Sequence, residues 1–230
     1  LGVTGSIAGY KAADLASKLA QAGALVDVIL TGAGEKFVSP LSFQSVTGRR
    51  AYIDKDLCGN EAHILHVSFG KTADLLVIAP CTAHTIAKLA HGFADNLLTV
   101  TALAAECPLV IAPAMDGGMY YHPTTQENLA KLKAGGAIIV GPAEGHLASG
   151  LTGKGRMVEP EEILGQVRIV LGKNGKLAGK RIVVTAGGTQ EALDPVRVIT
   201  NHSSGKQGYA LAQAALDSGA DVCLITAPTA

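Results

Sequence analysis

The sequence predicts an α/β protein with a doubly wound, mostly parallel sheet, followed by the start of a second α/β domain. Unbroken apolar runs of strand length, such as residues 75–79, lead directly into segments with helical spacing, here at Ile86, Leu89 and Phe93. The composition is 48% hydrophobic and 4% aromatic without tryptophan, which suits a core of Ala, Val, Leu, Ile and Gly. Ligands of such sheets bind where the strands end, against helix N-termini.

Charge and cysteine content exclude several classes of function. The net charge of zero argues against electrostatic binding of nucleic acid or of an anionic membrane surface. The longest apolar runs have strand length, so we expect no membrane span, and the first residues look like a strand, so we expect no signal peptide. The cysteines form no CxxC pair, which favours reduced thiols in the cytoplasm and predicts no metal site. They are Cys58, Cys81, Cys107 and Cys223.

The first part of the chain predicts a strand–helix–strand unit. We expect its first strand to begin before Leu1, and Gly23 to stop the helix. The predicted elements are, in order, the end of a strand at residues 1–3, a glycine loop and a helix over 4–23, a strand at 25–30, a polar turn at 31–34, an irregular segment at 35–48 and a surface loop at 52–64.

The central unit follows, opening at a polar turn that contains His66. Pro160 with two glutamates after it is typical of a helix start. The predicted elements are, in order, a strand at 75–79 closed by Pro80, a helix over 81–98, a strand at 109–112, a helix over 125–136, a strand at 137–140, a glycine-rich loop over 144–157 and a helix from 160.

The composition changes at residues 172–179, where Gly and Lys interrupt the apolar periodicity. A strand, a glycine loop, a helix and another strand then begin afresh. We predict a first domain over residues 1–172, a linker over 173–179 and a truncated N-terminal part of a second domain over 180–230. About fifty residues are too few for a complete doubly wound domain.

Several loops at predicted strand ends could carry chemistry. Gly5, Ser6 and Ile7 form a glycine turn at a helix N-terminus, which suits a phosphate because free N–H groups and the helix dipole point at it. Thr31 and Gly32 could add a hydroxyl and an N–H to the same anion. The loop is neither a GxGxxG nor a P-loop motif, and a simple tight turn is the alternative.

The remaining constellations are weak when taken singly. His66 lies before a strand, where a histidine is more often structural than catalytic. Residues 80–85 with residues 95–96 form another candidate. Residues 113–119 are a small-residue loop at a strand end, where backbone N–H groups could line a flat ligand. The methionines of the last segment could equally belong to the core.

Together these motifs resemble one family. Residues 1 to about 170 are similar to the homo-oligomeric, flavin-containing cysteine decarboxylases, whose sheet is flavodoxin/Rossmann-like. The resemblance rests on GSIA, the turn with His66, IAPCTAHTIAKLAHGFADNLLT, PAMDGGM and LASGLTGKGRM. After the linker, VVTAGGTQEALDPVRVITNHSSGKQGYALAQAAL is similar to the start of the phosphopantothenate–cysteine ligases. Finding both stretches in this order is highly specific.

The resemblance implies FMN-dependent decarboxylation of 4′-phosphopantothenoylcysteine to 4′-phosphopantetheine, a step of coenzyme A biosynthesis. In the family, FMN oxidises the cysteine-derived thiol to a thioaldehyde. This group accepts the electrons that the departing carbon dioxide leaves behind, and the reduced flavin then returns its own. The resemblance also implies self-assembly into a trimer or a multiple of trimers, with residues 37–43 and 52–64 as candidate contacts.

The resemblance assigns roles to individual residues. His66 would be the catalytic base, and Met115, Asp116 and Met119 would contact the substrate. Ser149 would act from a flap, residues 147–157, that closes over the substrate. The residues that would hold FMN are Gly5, Ser6, Ile7, Thr31, Gly32, Phe37, Thr82, Ala83, His84, Thr85 and Ala114.

The second stretch implies a ligase that uses CTP and Mg²⁺ to activate phosphopantothenate as an acyl-cytidylate. Asn201 matches the asparagine that stabilises the cytidylate. The family's later lysine-containing segment would lie beyond Ala230, so we expect no ligation by this chain. The residues that would bind CTP are Gly187, Gly188, Ser203, Ser204 and Gly205.

Three residues depart from the family pattern. His84 and Asp116 stand where the family has asparagine, and Ser149 stands where many members have cysteine. A serine cannot perform thiol redox chemistry, which leaves the final reduction open. An ionised Asp116 about 4 Å from a substrate carboxylate would be repelled by roughly 4 kcal/mol. We therefore expect Asp116 to be protonated, or to be neutralised by Lys154 or Arg156 of the flap.

Two other functions stay open. The TGSIAG loop resembles the glycine turn of short-chain dehydrogenases, although the chain has no YxxxK pair and no acidic residue closing the second strand. A non-catalytic flavoprotein, such as a regulatory subunit of a phosphatase, would also tolerate the three departures.

Overall fold

The structure is a computed structural model that describes residues 1–58 and 62–226, without the side chains of residues 62–64. The chain divides into two compact units, Leu1–Val167 and Arg168–Ala230. Each is described by itself below.

A six-stranded sheet in the order β3-β2-β1-β4-β5-β6 forms the centre of the first unit, and all its paired strands are parallel. The doubly wound parallel sheet predicted from the sequence is confirmed. The strand order reverses between β1 and β4, which is where ligands bind in such sheets. The strands are β1 (Gly2–Val3), β2 (Val28–Leu30), β3 (Ala51–Ile53), β4 (Leu76–Cys81), β5 (Leu109–Pro113) and β6 (Ile138–Ile139).

Helices connect these strands, and an antiparallel hairpin follows β6. The helices are α1 (Gly9–Gln21), α2 (Pro40–Thr47), α3 (Ala62–Thr72), α4 (Ala83–His91), α5 (Leu97–Ala104), α6 (Gly117–Tyr121), α7 (Pro123–Ala134) and α8 (Pro160–Gly172). The hairpin consists of β7 (Ala143–His146) and β8 (Thr152–Arg156).

The core lies between the middle of the sheet and the helices that cover it. Every residue of β4 is buried, as expected for a parallel strand covered on both faces. Ile78 and Ile111 meet Leu97 and Leu98 of α5 in one apolar cluster. A Cβ at Gly2 would lie 2.4 Å from Cδ1 of Leu98, so any larger residue at this position of β1 would displace the Leu98 side chain of α5.

Two segments predicted to be irregular are ordered. Within residues 35–48, Ser39 caps α2, proline occupies its first turn, and Gly48 ends it in the left-handed conformation. Only Phe43 of α2 is buried, so the helix shows no apolar periodicity. Within residues 52–64, the structure has most of β3, a 3₁₀ turn (Asp54–Cys58) and the start of α3, and residues 59–61 lie outside the described residues. The prediction of a surface loop there is wrong in these parts.

The central unit also differs from the prediction. His66 lies within α3 rather than in a turn. Pro80 lies inside β4, and the single helix predicted over residues 81–98 is two helices, because Gly92 ends α4 in the left-handed conformation. Asn96 then starts α5 with a capping box, and Phe93, between the helices, is exposed. The glycine-rich loop predicted over residues 144–157 is largely the β7–β8 hairpin.

Thr4 joins the ends of β1 and β4 at the order reversal. Its buried hydroxyl donates to the main-chain oxygen of Pro80 at 2.8 Å and accepts from the N–H of Thr82 at 3.1 Å. This side chain holds together the two loops that follow these strands.

We expect Thr4→Val to destabilise the first unit by about 1–3 kcal/mol, because the isosteric side chain leaves the Thr82 N–H without its acceptor. Thr101→Val is the matched control: Thr101 is buried, and its hydroxyl has no partner in the described part of the chain. Removing that hydroxyl should be neutral or stabilising by up to about 1 kcal/mol. Urea unfolding measures both, and equal midpoints for the two variants would refute the role given to Thr4.

The second unit contains a two-stranded parallel sheet of β9 (Arg181–Ala186) and β12 (Asp221–Thr226), with α9 (Lys206–Asp217) between them. An antiparallel hairpin, β10 (Gln190–Ala192) and β11 (Val198–Thr200), was not predicted. Residues 173–179 form consecutive turns, and the Leu177 N–H donates to the main-chain oxygen of Ser218 at 2.8 Å. Across residues 1–58 and 62–226, no helix is both long and apolar enough to cross a bilayer.

Candidate active site

The loops after β1 and β2 pack so closely on their neighbours that one position in each has no room for a side chain. A Cβ at Gly5 would lie 2.5 Å from the Cβ of Ala33, and a Cβ at Gly34 would lie 2.6 Å from the main-chain oxygen of Val3. The loops after β1 and β2 therefore touch through their backbones. Helix α1 begins without a side-chain cap at Ala8. The Gly9 N–H donates to the main-chain oxygen of Ser6 at 2.9 Å, and the Ala8 N–H donates to the Ser6 hydroxyl at 3.3 Å. We name the loops 4–9 and 31–34 the cradle.

In the loop 31–34, Thr31 and Gly32 were both expected to meet an anion, and the structure differs from this at Gly32. The Thr31 hydroxyl accepts from the Gly34 N–H at 3.1 Å, and its own hydrogen has no acceptor among the described residues. The Gly32 N–H, expected to meet an anion, donates instead to Oδ2 of Asp54 at 2.8 Å. Oδ1 of Asp54 accepts from the Leu97 N–H at 3.3 Å. Sequence reasoning missed Asp54, because nothing local marks a residue whose partners are in other elements.

The loop after β4 begins α4. Thr82 is the N-cap of this helix: its hydroxyl accepts from the Thr85 N–H at 3.4 Å. Ala83 is half-buried, His84 is exposed and Thr85 is buried. Thr82 therefore has a structural role as well as a position beside the cradle. The preceding residue, Cys81, is not a nucleophile, because burial raises the pKa of its thiol far above the usual range.

The loop after β5 is tied to the strand beside it and to the β7–β8 hairpin. The Ala114 N–H donates to the main-chain oxygen of Cys81 at 3.0 Å, and the Met115 N–H donates to that of Gly155 at 3.0 Å. A Cβ at Gly155 would lie 2.3 Å from the Met115 oxygen, so the hairpin approaches this loop backbone to backbone. Met119 is half exposed on α6. We name the hairpin, residues 143–156, the flap hairpin.

Asp116 and Ser149, two of the three departures from the family pattern, contact each other. The Ser149 hydroxyl donates to Oδ2 of Asp116 at 2.6 Å, and the Gly118 N–H donates to Oδ1 at 2.9 Å. The Ser149 hydrogen bond and then the Gly118 N–H lower the pKa of Asp116. In the chain by itself the shift is thus opposite in direction to the one expected beside a substrate carboxylate.

The flap contact that Asp116 does make is also different from the one expected. Lys154 lies over the ring of Tyr120, 5.7 Å from its centroid. Arg156 donates to Glu159 at 3.0 Å. A neutral hydroxyl, and neither of these cations, meets the carboxylate. If the departures at positions 116 and 149 had been considered together, the sequence could have suggested a contact between Asp116 and Ser149.

Ser149→Ala should move the pKa of Asp116 up towards its ordinary value, since the lost hydroxyl is the main group that stabilises the carboxylate. In wild type this stabilisation is present above the ordinary pKa and is lost as the pH falls through the lowered one. Carboxyl-carbon NMR titration measures the shift. Asp194, whose pKa is lowered by Val196 and Arg197, serves as the internal control that should not move. An unchanged Asp116 midpoint would show that the hydroxyl does not act on it.

His66 lies on α3, and the structure shows no hydrogen bond from its Nδ1 atom to the cradle or to any other described residue. That atom is buried. Its neighbours on α3, Leu65 and Phe69, pack against the core, where the Phe69 ring meets the Tyr52 ring edge-on at 4.9 Å. A buried ring nitrogen without a partner is costly in a purely structural histidine.

In the second unit, an open groove of about 510 Å³ lies where β9 ends and α9 begins. Gly187 and residues 202–208 line it, including Ser203, Ser204 and Gly205. Gly205 has a φ of 71°, and a Cβ there would lie 3.0 Å from the Gly187 nitrogen.

Gly188 and Asn201, predicted for the same site, do not line the groove. A Cβ at Gly188 would lie 2.9 Å from Oδ1 of Asn201. That oxygen accepts from the Ser203 N–H at 3.0 Å, so Asn201 shapes the loop that carries the serines.

A doubly wound sheet with a glycine loop and a helix N-terminus at its order reversal is the arrangement of a mononucleotide- or flavin-binding α/β protein. Residues 1–172 match the model of the family described as Flavoprotein, and residues 177–230 match that of the DNA/pantothenate metabolism flavoprotein C-terminal domain. The chain belongs to the flavoprotein family. The family resemblance drawn from the motifs is confirmed.

Individual relatives agree with this membership. The chain is 49% identical over 228 residues to the "Coenzyme A biosynthesis bifunctional protein CoaBC" of Bacillus subtilis (strain 168), covering 98% of this chain and 56% of the relative. It thus spans little more than half the length of the curated relatives it matches.

Two solved structures resemble the first unit. A cysteine-to-serine mutant of PPC decarboxylase complexed with pantothenoylaminoethenethiol superposes with a TM-score of 0.66 at 33% identity, covering 73% of this chain and 94% of the other. The FMN binding protein AtHal3 superposes with a TM-score of 0.64 at 33% identity, covering 73% of this chain and 92% of the other.

Proposed function

We propose that residues 1–172 form an FMN-dependent decarboxylase that converts 4′-phosphopantothenoylcysteine to 4′-phosphopantetheine in coenzyme A biosynthesis. The observation that carries this proposal is the cradle at the order reversal, where Gly5 and Gly34 leave no room for a Cβ. Relatives named for this pathway and a structural neighbour named PPC decarboxylase support it.

The residues present fit FMN. The N–H groups of Gly5 and Ile7, the hydroxyl of Ser6 and the free hydroxyl hydrogen of Thr31 would hold the single phosphate, assisted by the positive end of α1. Residues 82–85 and Ala114 would line the flavin ring. When bound, FMN supplies the oxidation of the substrate thiol that makes loss of carbon dioxide possible, and the return of the electrons afterwards.

The chain's own groups would position the substrate and move protons. His66 would act as the base, the role in proton transfer that enzymes most often give to a histidine side chain. Ionised Asp116 can only accept hydrogen bonds, so it would hold Ser149 of the flap hairpin rather than bind the substrate carboxylate directly. The hairpin would exclude water from the site.

The spectrum of the purified chain tests this function. We expect a yellow protein that releases FMN and not FAD on denaturation, because the cradle offers one phosphate site. It should also release carbon dioxide from phosphopantothenoylcysteine, with the thiol and enethiol products separated by mass spectrometry. A colourless chain that cannot be reconstituted with FMN would overturn the proposal. A yellow chain that releases no carbon dioxide would instead favour a non-catalytic flavoprotein.

For residues 180–230 we propose part of a CTP-dependent phosphopantothenate–cysteine ligase domain. The groove at the start of α9 has the features of a phosphate site: glycine backbone, two serine hydroxyls and Lys206. CTP with Mg²⁺ would place its phosphates there. Calorimetric titration with Mg²⁺–CTP tests this, and no heat of binding to the chain would contradict it.

We also propose that the chain assembles into a trimer or a multiple of trimers in the cytoplasm. Exposed Phe37 and Leu41 lie in the segment predicted to make the subunit contact. The cysteines, Cys58, Cys81, Cys107 and Cys223, are free, in keeping with a reducing compartment. A flavin-loaded monomer in light scattering would contradict the assembly.

A further inference from the structure

Lys11 carries a positive charge at a buried position near the N-terminus of α1, and both burial and the helix dipole disfavour that charge. It lies in the first turn of α1, at the positive end of the helix dipole. Only 6% of its side chain is exposed. Burying an ammonium group is costly unless it is paired and hydrogen-bonded. Its partners therefore indicate what it does.

Both partners belong to the segment that follows the flap hairpin. The Nζ of Lys11 donates to the main-chain oxygen of Met157 at 3.0 Å and to Oε1 of Glu159 at 2.8 Å. Arg156, the last residue of β8, donates to the same Oε1 at 3.0 Å. Met157 and Val158 are themselves buried. This segment is thus anchored to α1 through both main chain and side chain.

The other strand of the hairpin starts from the same place. A Cβ at Gly141 would lie 2.5 Å from Cγ1 of Val158, so the chain entering β7 packs directly on the chain that leaves β8. The segment before β7 and the segment after β8 therefore pack on each other at one end of the hairpin. Lys11 connects this end of the hairpin to α1. The start of α1 belongs to the cradle, and the far end of the hairpin carries Ser149 to Asp116.

We propose that Lys11 is the positioning residue that sets the flap hairpin relative to the cradle helix, so that Ser149 meets Asp116. The inference rests on the proposed function, because it treats the hairpin as a flap over the decarboxylase substrate. Lys11 acts through Met157 and Glu159, the two acceptors of its ammonium group. Without this anchor the cradle persists, but the tip of the hairpin moves away from Asp116.

Three variants of the whole chain test the proposal. Lys11→Met keeps the buried stem and removes the ammonium group. Glu159→Ala removes one acceptor from a side chain that is 51% exposed, so it leaves the core intact. Lys18→Met is the matched control, because Lys18 also lies on α1 and pairs with Glu161 at 3.2 Å, but its side chain is 30% exposed and it does not reach the hairpin.

We expect amide hydrogen exchange over residues 147–156 to speed up about tenfold or more in Lys11→Met and in Glu159→Ala, but not in Lys18→Met. In the flavin-loaded chain, KM should rise about tenfold while kcat and the Kd of FMN stay within roughly threefold. The double variant should be no worse than Lys11→Met alone, because both changes break one anchor.

Unchanged exchange in the hairpin of both variants would overturn the proposal. So would faster exchange spread evenly over residues 1–167 together with loss of FMN, since that is the signature of a lysine that only stabilises the fold. The exchange experiment needs neither flavin nor turnover. If the wild-type chain proves inactive, the proposed function fails while Lys11 is still judged by the exchange of the hairpin.

Discussion

Replacing His66 with asparagine should abolish carbon dioxide release from phosphopantothenoylcysteine while leaving FMN bound. A positioned general base contributes about 10²–10⁴-fold to a rate, and the amide of asparagine cannot take up a proton at neutral pH. The Nδ1 atom of His66 is buried and has no partner within the described residues, so it is not committed to a structural hydrogen bond. The apolar contacts of α3 through Leu65 and Phe69 are untouched by the change, and the fold should persist.

The measurement is the steady-state rate of carbon dioxide release, with flavin content read from the visible spectrum of the same sample. His122→Asn is the control. His122 caps α7 by accepting from the Thr124 N–H at 3.3 Å, and asparagine is itself a favourable N-cap. Turnover at the wild-type rate in His66→Asn would make His66 a structural residue, and the base would have to be sought elsewhere.

Adding a single methyl group at Gly5 should remove the flavin. In Gly5→Ala the new Cβ would lie 2.5 Å from the Cβ of Ala33 and within 3.3 Å of its main-chain atoms, so the two loops of the cradle must separate. The phosphate then loses charge-assisted hydrogen bonds worth about 1.5–3 kcal/mol each. Two such bonds correspond to roughly 10²-fold or more in the Kd of FMN.

Gly165→Ala is the control for the Gly5 variant. It adds the same methyl group to α8, where a Cβ would have nothing within 4 Å. In a helix interior this change is favourable by about 0.5–1 kcal/mol. Titration with FMN, followed by quenching of its fluorescence, compares the two chains. If Gly5→Ala binds FMN as tightly as Gly165→Ala, the phosphate does not sit in the cradle.

The sequence by itself determined the class of sheet, the strands at its centre and the loops that could carry a ligand. Buried parallel strands need continuous apolar residues, so β4 and β5 stand out as runs in the sequence. Motif loops such as GSIA sit where strands must end. Because the carboxyl ends of parallel strands lie at one edge of the sheet, loops that follow these strands lie at that edge. The family resemblance rests on the residues of the same loops.

Sequence patterns did not predict elements that bury few apolar side chains. Helix α2 buries only Phe43, so it lacks the periodicity of an amphipathic helix, although Ser39 and Pro40 were available as a start signal. The flap hairpin is held by hydrogen bonds between its own strands rather than by an apolar face. Its glycines therefore looked like a loop.

Only the tertiary structure decided which side chains meet. Gly32 meets Asp54 across 22 residues of sequence, Asp116 meets Ser149 across 33, and Lys11 meets Glu159 across 148. The pKa of Asp116 depends on one of these contacts: the Ser149 hydroxyl lowers it, whereas an apolar loop and a nearby substrate carboxylate had been expected to raise it. Hydrogen bonds and ion pairs act over a few ångströms of space, and the packing of the sheet and helices sets those distances.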